Sequence, residues 1–156
     1  MKQTRNNSGG FTFVELLIAI VIAGILAGFG VPRLSAMIPK RRLNGAAQKI
    51  AWDLQAARMS AIKHKYNVSV TFVNDVDYKI WYDRDHDNVE DGDEVTVKSI
   101  RNAYRGVSIA STRNPTFHPL GTVLNAPHDG QPITLSNVSG TKTIAVSIAG
   151  RVKLSS

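Results

Sequence analysis

The chain has 156 residues, with 19 Lys and Arg against 12 Asp and Glu, four His and no Cys. That length fits one modest domain, and the missing cysteines exclude disulfide staples, thiol chemistry and Cys-based metal sites. The net charge of +7 favours a polyanionic partner, while the absence of a Walker loop, a dinucleotide fingerprint or a nucleophile motif leaves catalysis without a footing.

The first ten residues, Met1 to Gly10, are polar and carry Lys2 and Arg5, a short basic flank of the kind held on the cytoplasmic side of a membrane. Phe11 to Val31 follows as an apolar run broken by one carboxylate, Glu15. A helix needs about 20 residues at 1.5 Å each to cross the hydrocarbon core, so this run is expected to span a membrane. An ordinary cleaved signal has an apolar core of about 7 to 15 residues, and both the length and Glu15 argue against it. A charge at the bilayer centre costs about 2.5 to 3.5 kcal/mol on insertion scales. Glu15 therefore calls for a partner, expected outside this chain.

The junction Gly9-Gly10-Phe11-Thr12-Phe13-Val14-Glu15 resembles that of the type IV pilins and the pseudopilins of type II secretion systems. The resemblance implies cleavage by a prepilin peptidase between Gly10 and Phe11, N-methylation of Phe11, and pairing of Glu15 with the amino terminus of a neighbouring subunit during assembly. Its localisation would be the bacterial inner membrane as a single-pass precursor, with the domain in the periplasm and the mature form in a pilus or pseudopilus. The lack of cysteine favours a minor subunit over many major pilins, in which a disulfide closes the carboxyl-terminal loop.

Further along, Gly24 and Gly28 form a G-x-x-x-G pair that lets another helix approach closely, or are simply tolerated small residues. Gly30, Pro32 and Pro39 predict a kink near Pro32. From Leu43 the apolar residues Ala46, Ala47, Ile50, Leu54, Ala57, Ala61 and Ile62 recur at a helical period, so the helix is expected to continue to about His64, a length on the order of 80 Å. Lys40, Arg41 and Arg42 sit at the membrane exit, against anionic headgroups or DNA, or as a solvated helix face.

Beyond Tyr66 the period becomes two. Val68, Val70 and Phe72, then Tyr78, Ile80 and Tyr82, alternate with other residues and predict antiparallel strands. Further strands are expected at Val95 to Ile100, Val107 to Ala110, Gly121 to Leu124, Ile133 to Leu135, Thr143 to Ile148 and Val152 to Leu154, divided by Asn, Gly and Pro turns. The fold class that follows is α+β and pilin-like: a long helix, its first half transmembrane, packed by its second half against a small antiparallel β domain. The expected divisions are a leader at 1–10, a helix at 11–65 (11–31 in the membrane, 32–65 amphipathic) and a β-rich extracytoplasmic domain at 66–156.

The acidic residues are concentrated. Nine of the 12 lie between Asp75 and Glu94. Within this segment Asp83, Asp85, Asp87, the Val89 carbonyl, Asp91 and Glu94 fall at positions 1, 3, 5, 7, 9 and 12 of the EF-hand loop, a spacing of oxygen ligands that can wrap Ca²⁺. Asn88 stands where that pattern has glycine, and the flanks read as strands rather than helices; a solvated hairpin loop is the alternative. His64, His86, His118 and His128 show no paired ligand spacing, and His118 and His128 lie near Pro and Gly as loop residues.

Two carboxyl-terminal stretches, Thr116-Phe-His-Pro-Leu-Gly-Thr122 and Ile144 to Lys153, resemble the GspH/FimT group of minor pilins and pseudopilins. Members that capture DNA for natural transformation end in glycine-arginine-any-arginine; here the match is Gly150-Arg151-x-Lys153. Lysine keeps the charge and loses the bidentate fork, while phosphate neutralisation alone supports non-specific affinity. Arg151 and Lys153, helped by Arg41, Arg42 and Lys142, are the candidate contacts to double-stranded DNA. The expected partners are other pilin or pseudopilin subunits, the peptidase, the inner membrane and DNA. The alternative is a purely structural type II secretion pseudopilin without a nucleic-acid ligand.

Overall fold

The computed structural model describes residues 10–111, 114–124 and 132–155, without the side chains of 29–34 and 36. Lys2, Arg5 and His128 lie outside the described residues. The chain divides into two compact units, Met1–Met37 and Ile38–Ser156.

Helix α1, Phe13–His64, contributes to both units. It starts at Thr12, whose carbonyl accepts the Leu16 amide at 3.2 Å and whose Oγ1 accepts the Glu15 amide at 3.3 Å. This is the N-cap of a T-x-x-E box, in which the cap side chain satisfies one of the free amides of the first turn. The helix passes through Pro32 and Pro39 without interruption. It stops where Lys65 turns left-handed, at φ 65°, and returns its amide to the Ala61 carbonyl at 3.0 Å. Among the described residues no helix is long and apolar enough to cross a membrane; the end of the expected span at 11–31 lies outside the described side chains.

In the second unit the expected helical stripe is the buried one. Leu43, Ala46, Ala47, Ile50, Leu54, Ala57 and Ala61 are all buried, joined by Ala51, while Ile62 is half-buried. Four of these are alanines with almost no exposure, and small side chains let the strands approach the helix closely while still removing apolar surface from water.

Two antiparallel sheets pack over this stripe. The first, in the order β3-β2-β1-β5, comprises β1 Val68–Phe72, β2 Asp77–Tyr82, β3 Val95–Ser99 and the two-residue β5 Thr116–Phe117. The second, in the order β4-β6-β7-β8, comprises β4 Ser108–Ala110, β6 Ile133–Asn137, β7 Gly140–Val146 and β8 Val152–Ser155. In the first sheet Val68 faces Tyr82 and Val70 faces Ile80. In the second Ile144 lies between Ile133 and Leu154, and Val146 faces Val152. Val68, Val70, Tyr78, Ile80, Phe117, Leu135 and Ile144 join the helix alanines in one core.

The structure departs from several of the expected strands. Gly121 to Leu124 is not a strand, because Gly121 adopts φ +78° and only Val123 bridges back to Phe117. Val107 is buried yet sits in a turn, its amide bonded to the Tyr104 carbonyl at 3.2 Å. The strand expected to end at Ile148 ends at Val146, since Ser147 to Gly150 forms the turn into β8.

Asp53 fastens the helix to the first sheet. Its carboxylate accepts the Tyr78 hydroxyl of β2, and Lys98 of β3 at 2.5 Å, with Lys49 one helical turn away at 3.3 Å. Burial pushes the Asp53 carboxyl up, but the hydrogen bonds from Lys98 and Tyr78 and the two lysine charges outweigh it and leave it below the usual carboxylate range. Burial first, and then the bond to Asp53, push the Tyr78 phenol up.

Candidate functional site

Three groups of residues bear on function, the first at the helix start. Gly10, Phe11 and Glu15 are exposed, and every large apolar side chain from Phe11 to Leu26 is more than half exposed, Phe11 at 84%. A helix that is apolar all round has no water-facing side, so this one is shaped for burial in lipid or among other helices. Glu15 stands at the third position of the helix, next to the positive end of its dipole. Thr12, whose cap is legible in the T-x-x-E spacing, shares the first turn with this glutamate.

The second group is basic, and the fold disperses it. Arg41 and Arg42 are exposed on the helix, where Arg42 donates to the Arg105 carbonyl at 3.4 Å. Nearby, Asn137 at the end of β6 donates to the Pro39 carbonyl at 2.7 Å. Arg151 and Lys153 are exposed at β8, about 25 Å further along the helix, judged from the 17 residues between Arg41 and Arg58 at 1.5 Å each. Register separates the third contact as well. Lys142 faces Leu135, on the sheet face of Ile144 and Val146, whereas Lys153 faces Ala145 on the opposite face.

What Arg151 does adjoin is Arg58, a residue the sequence pattern did not single out. Arg58 donates from Nε to the Gly121 carbonyl at 2.9 Å and from Nη2 to the Ala149 carbonyl at 3.2 Å. Gln55, Arg58, Met59, Gly150, Arg151 and Val152 line a shallow groove of about 220 Å³. Gly150 at φ +71° lies so close that a Cβ there would stand 2.0 Å from the Gly121 carbonyl oxygen. The two carboxyl-terminal motifs, far apart in sequence, thus meet on one helix side chain.

The third group is the β2–β3 loop. Asp83 is 1% exposed; its Oδ1 accepts the Asn88 amide at 3.2 Å, and its Oδ2, among the described residues, has no hydrogen-bond partner. One oxygen each of Asp83, Asp85 and Asp87 lies within 4.8 Å of the others. His86 and Asn88 are left-handed at φ 65° and 60°, a conformation that Asn and His tolerate better than most residues. Asp85 accepts the Asp87 amide at 3.3 Å and Asp87 the Val89 amide at 2.7 Å. Glu94 is turned elsewhere, accepting the Arg84 amide at 2.7 Å and Trp81 Nε1 at 3.1 Å. Asp91 stays outside the triad; desolvation and then the carboxylates of Asp87 and Asp85 push its carboxyl up.

Comparison with known proteins completes the picture. The prokaryotic N-terminal methylation motif matches residues 5–31. Two crystal structures of the type IV minor pilin FimU from Pseudomonas aeruginosa strain PAO1 are similar in fold, each with a TM-score of 0.55. They are 18% and 17% identical, covering 75% and 73% of this chain and 90% and 93% of theirs. No curated protein sequence matches significantly. The family described as type II transport protein GspH matches residues 46–150, from the buried helical stripe to Gly150. More than half of the sequence lies in that match, and the chain belongs to the GspH family.

Proposed function

We propose that the protein is a minor subunit of a type IV pilus or type II secretion pseudopilus, cleaved between Gly10 and Phe11 and methylated at Phe11. The observation that carries this reading is the apolar helix start, exposed all round and broken only by Glu15, inside a matched N-terminal methylation motif. Before assembly, residues 11–31 hold the precursor in the inner membrane with the β domain in the periplasm. During assembly the Glu15 carboxylate meets the amino terminus of a neighbouring subunit, so a charge that is costly in lipid becomes a pairing signal. The domain divisions at 1–10, 11–65 and 66–156 follow from the same reading. Glu15→Ala should be cleaved and inserted normally, while its incorporation into sheared filaments falls by about tenfold or more, the change that about 1.4 kcal/mol produces. Wild-type incorporation of that variant would overturn the pairing.

A second reading adds non-specific contact with double-stranded DNA, for uptake through the pilus. It is supported by exposed Arg151 and Lys153, which have no acidic partner among the described residues. Arg41, Arg42 and Lys142 are secondary contacts, since no single face holds all five. Against it stands the purely structural pseudopilin, which the type II transport description of the family favours.

A further inference from the structure

We propose that the β2–β3 loop is a calcium site built on Asp83, Asp85 and Asp87. The anchor is Asp83. A carboxylate that is 1% exposed, with one oxygen satisfied by the Asn88 amide and the other without a donor among the described residues, bears an uncompensated desolvation cost that a cation removes. That side chain belongs to a cluster in which one oxygen from each of three aspartates lies within 4.8 Å of the others. Carboxylate oxygens that close can be drawn onto one divalent cation, and a flexible loop of oxygen ligands suits Ca²⁺, which takes about six to eight of them at roughly 2.3–2.6 Å, better than Mg²⁺, which demands near-ideal octahedral geometry.

Charge balance points the same way. Among the described residues none of the three aspartates takes part in an ion pair. The two nearest cations in sequence are engaged elsewhere. Lys79 pairs with Glu90 at 2.5 Å, and Arg84 lies 5.8 Å over the Tyr82 ring and donates to the Asp93 carbonyl at 3.4 Å. Asp85 and Asp87 are exposed, which leaves the ion a path in from solvent. The left-handed Asn88 makes the turn that glycine makes at the sixth position of an EF-hand loop. Glu94, bonded to Arg84 and Trp81, braces the loop from outside the cluster. Bound calcium would tie the end of β2 to the loop that leads into β3.

The test is calorimetric titration of the full chain, purified in detergent and stripped with EDTA, with CaCl₂ and separately with MgCl₂, alongside thermal melting. The expected result is saturable binding of one Ca²⁺, with a dissociation constant on the order of 10⁻⁵ to 10⁻³ M, magnesium at least about tenfold weaker, and a Tm that rises with calcium. Asp85→Asn with Asp87→Asn should lose at least about tenfold in affinity while melting like the wild type without metal, because both side chains are exposed. Asp83→Asn should melt no lower than wild type in EDTA, its orphaned charge having been removed, and should gain no stability from calcium. Flat titration up to about 10 mM Ca²⁺, beyond the weak end of known calcium modules, equal affinity for magnesium, or undiminished binding by the double variant would each overturn the site.

Discussion

Gly150 shows how much a single position can decide. Its φ of +71° is left-handed and a Cβ would fall 2.0 Å from the Gly121 carbonyl oxygen and 2.6 Å from Arg58 Nε. Any side chain therefore strains the backbone and forces apart the carbonyl that Arg58 holds. Gly150→Ala is expected to lower stability by about 1–3 kcal/mol, read as a lower urea midpoint with an unchanged slope; an unchanged midpoint would refute the packing argument. The glycine is legible in the sequence as part of a motif, but its reason is not, because the atom it must avoid belongs to a residue 29 positions earlier.

Between elements, the link that titrates is Asp53, which joins α1 to β2 and β3 through Tyr78 and Lys98. Its carboxyl lies below the ordinary value of 3.8 in the folded protein. The stabilisation is therefore fully present above that value and is lost as pH falls through the folded one. Asp77 adds to the same acid limb, held low first by the Ser99 hydroxyl, then by Asn74. Asp53→Asn should cost about 2 kcal/mol at neutral pH, as expected for hydrogen bonds to a charged group, and flatten the loss of stability as pH falls below the ordinary value of 3.8 without abolishing it. Urea melts across that range would measure both, and a variant with the wild-type acid limb would rule out Asp53 as its source. The helix end that holds Asp53 was legible from its 3.6-residue period, whose predicted stripe is the buried one. The two-residue β5 was hidden inside the Thr116–Thr122 motif, because so short a strand has no period and exists only through its pairing with β1.

For the whole molecule, the charge distribution tests the DNA reading. The full chain in detergent, titrated with labelled duplex DNA at about 50 and 200 mM salt, should bind with a log-log salt slope near −0.9 per phosphate contacted. Arg151→Gln with Lys153→Gln should reduce the magnitude of that slope by about two contacts. No binding at low salt would leave the structural pseudopilin as the reading. Because Arg41 and Arg42 lie well along the helix from Arg151, and Lys142 and Lys153 point to opposite faces of their sheet, the slope should count a few phosphates rather than all the basic residues.

The sequence by itself determined the apolar run with its glutamate, the amphipathic helix that continues from it, the alternating strands and the acidic segment between β2 and β3. Each is written in spacings of a few residues, which local backbone geometry converts directly into structure. Only the tertiary structure decided which of these parts meet. It brought Gly121, Ala149 and Gly150 onto Arg58, split the basic residues by sheet register, turned Glu94 away from the aspartates and buried Asp83 with one oxygen unmatched among the described residues. Those outcomes depend on contacts between residues distant in the chain, and no local period encodes where a strand's partner, or a carboxylate's missing donor, will lie.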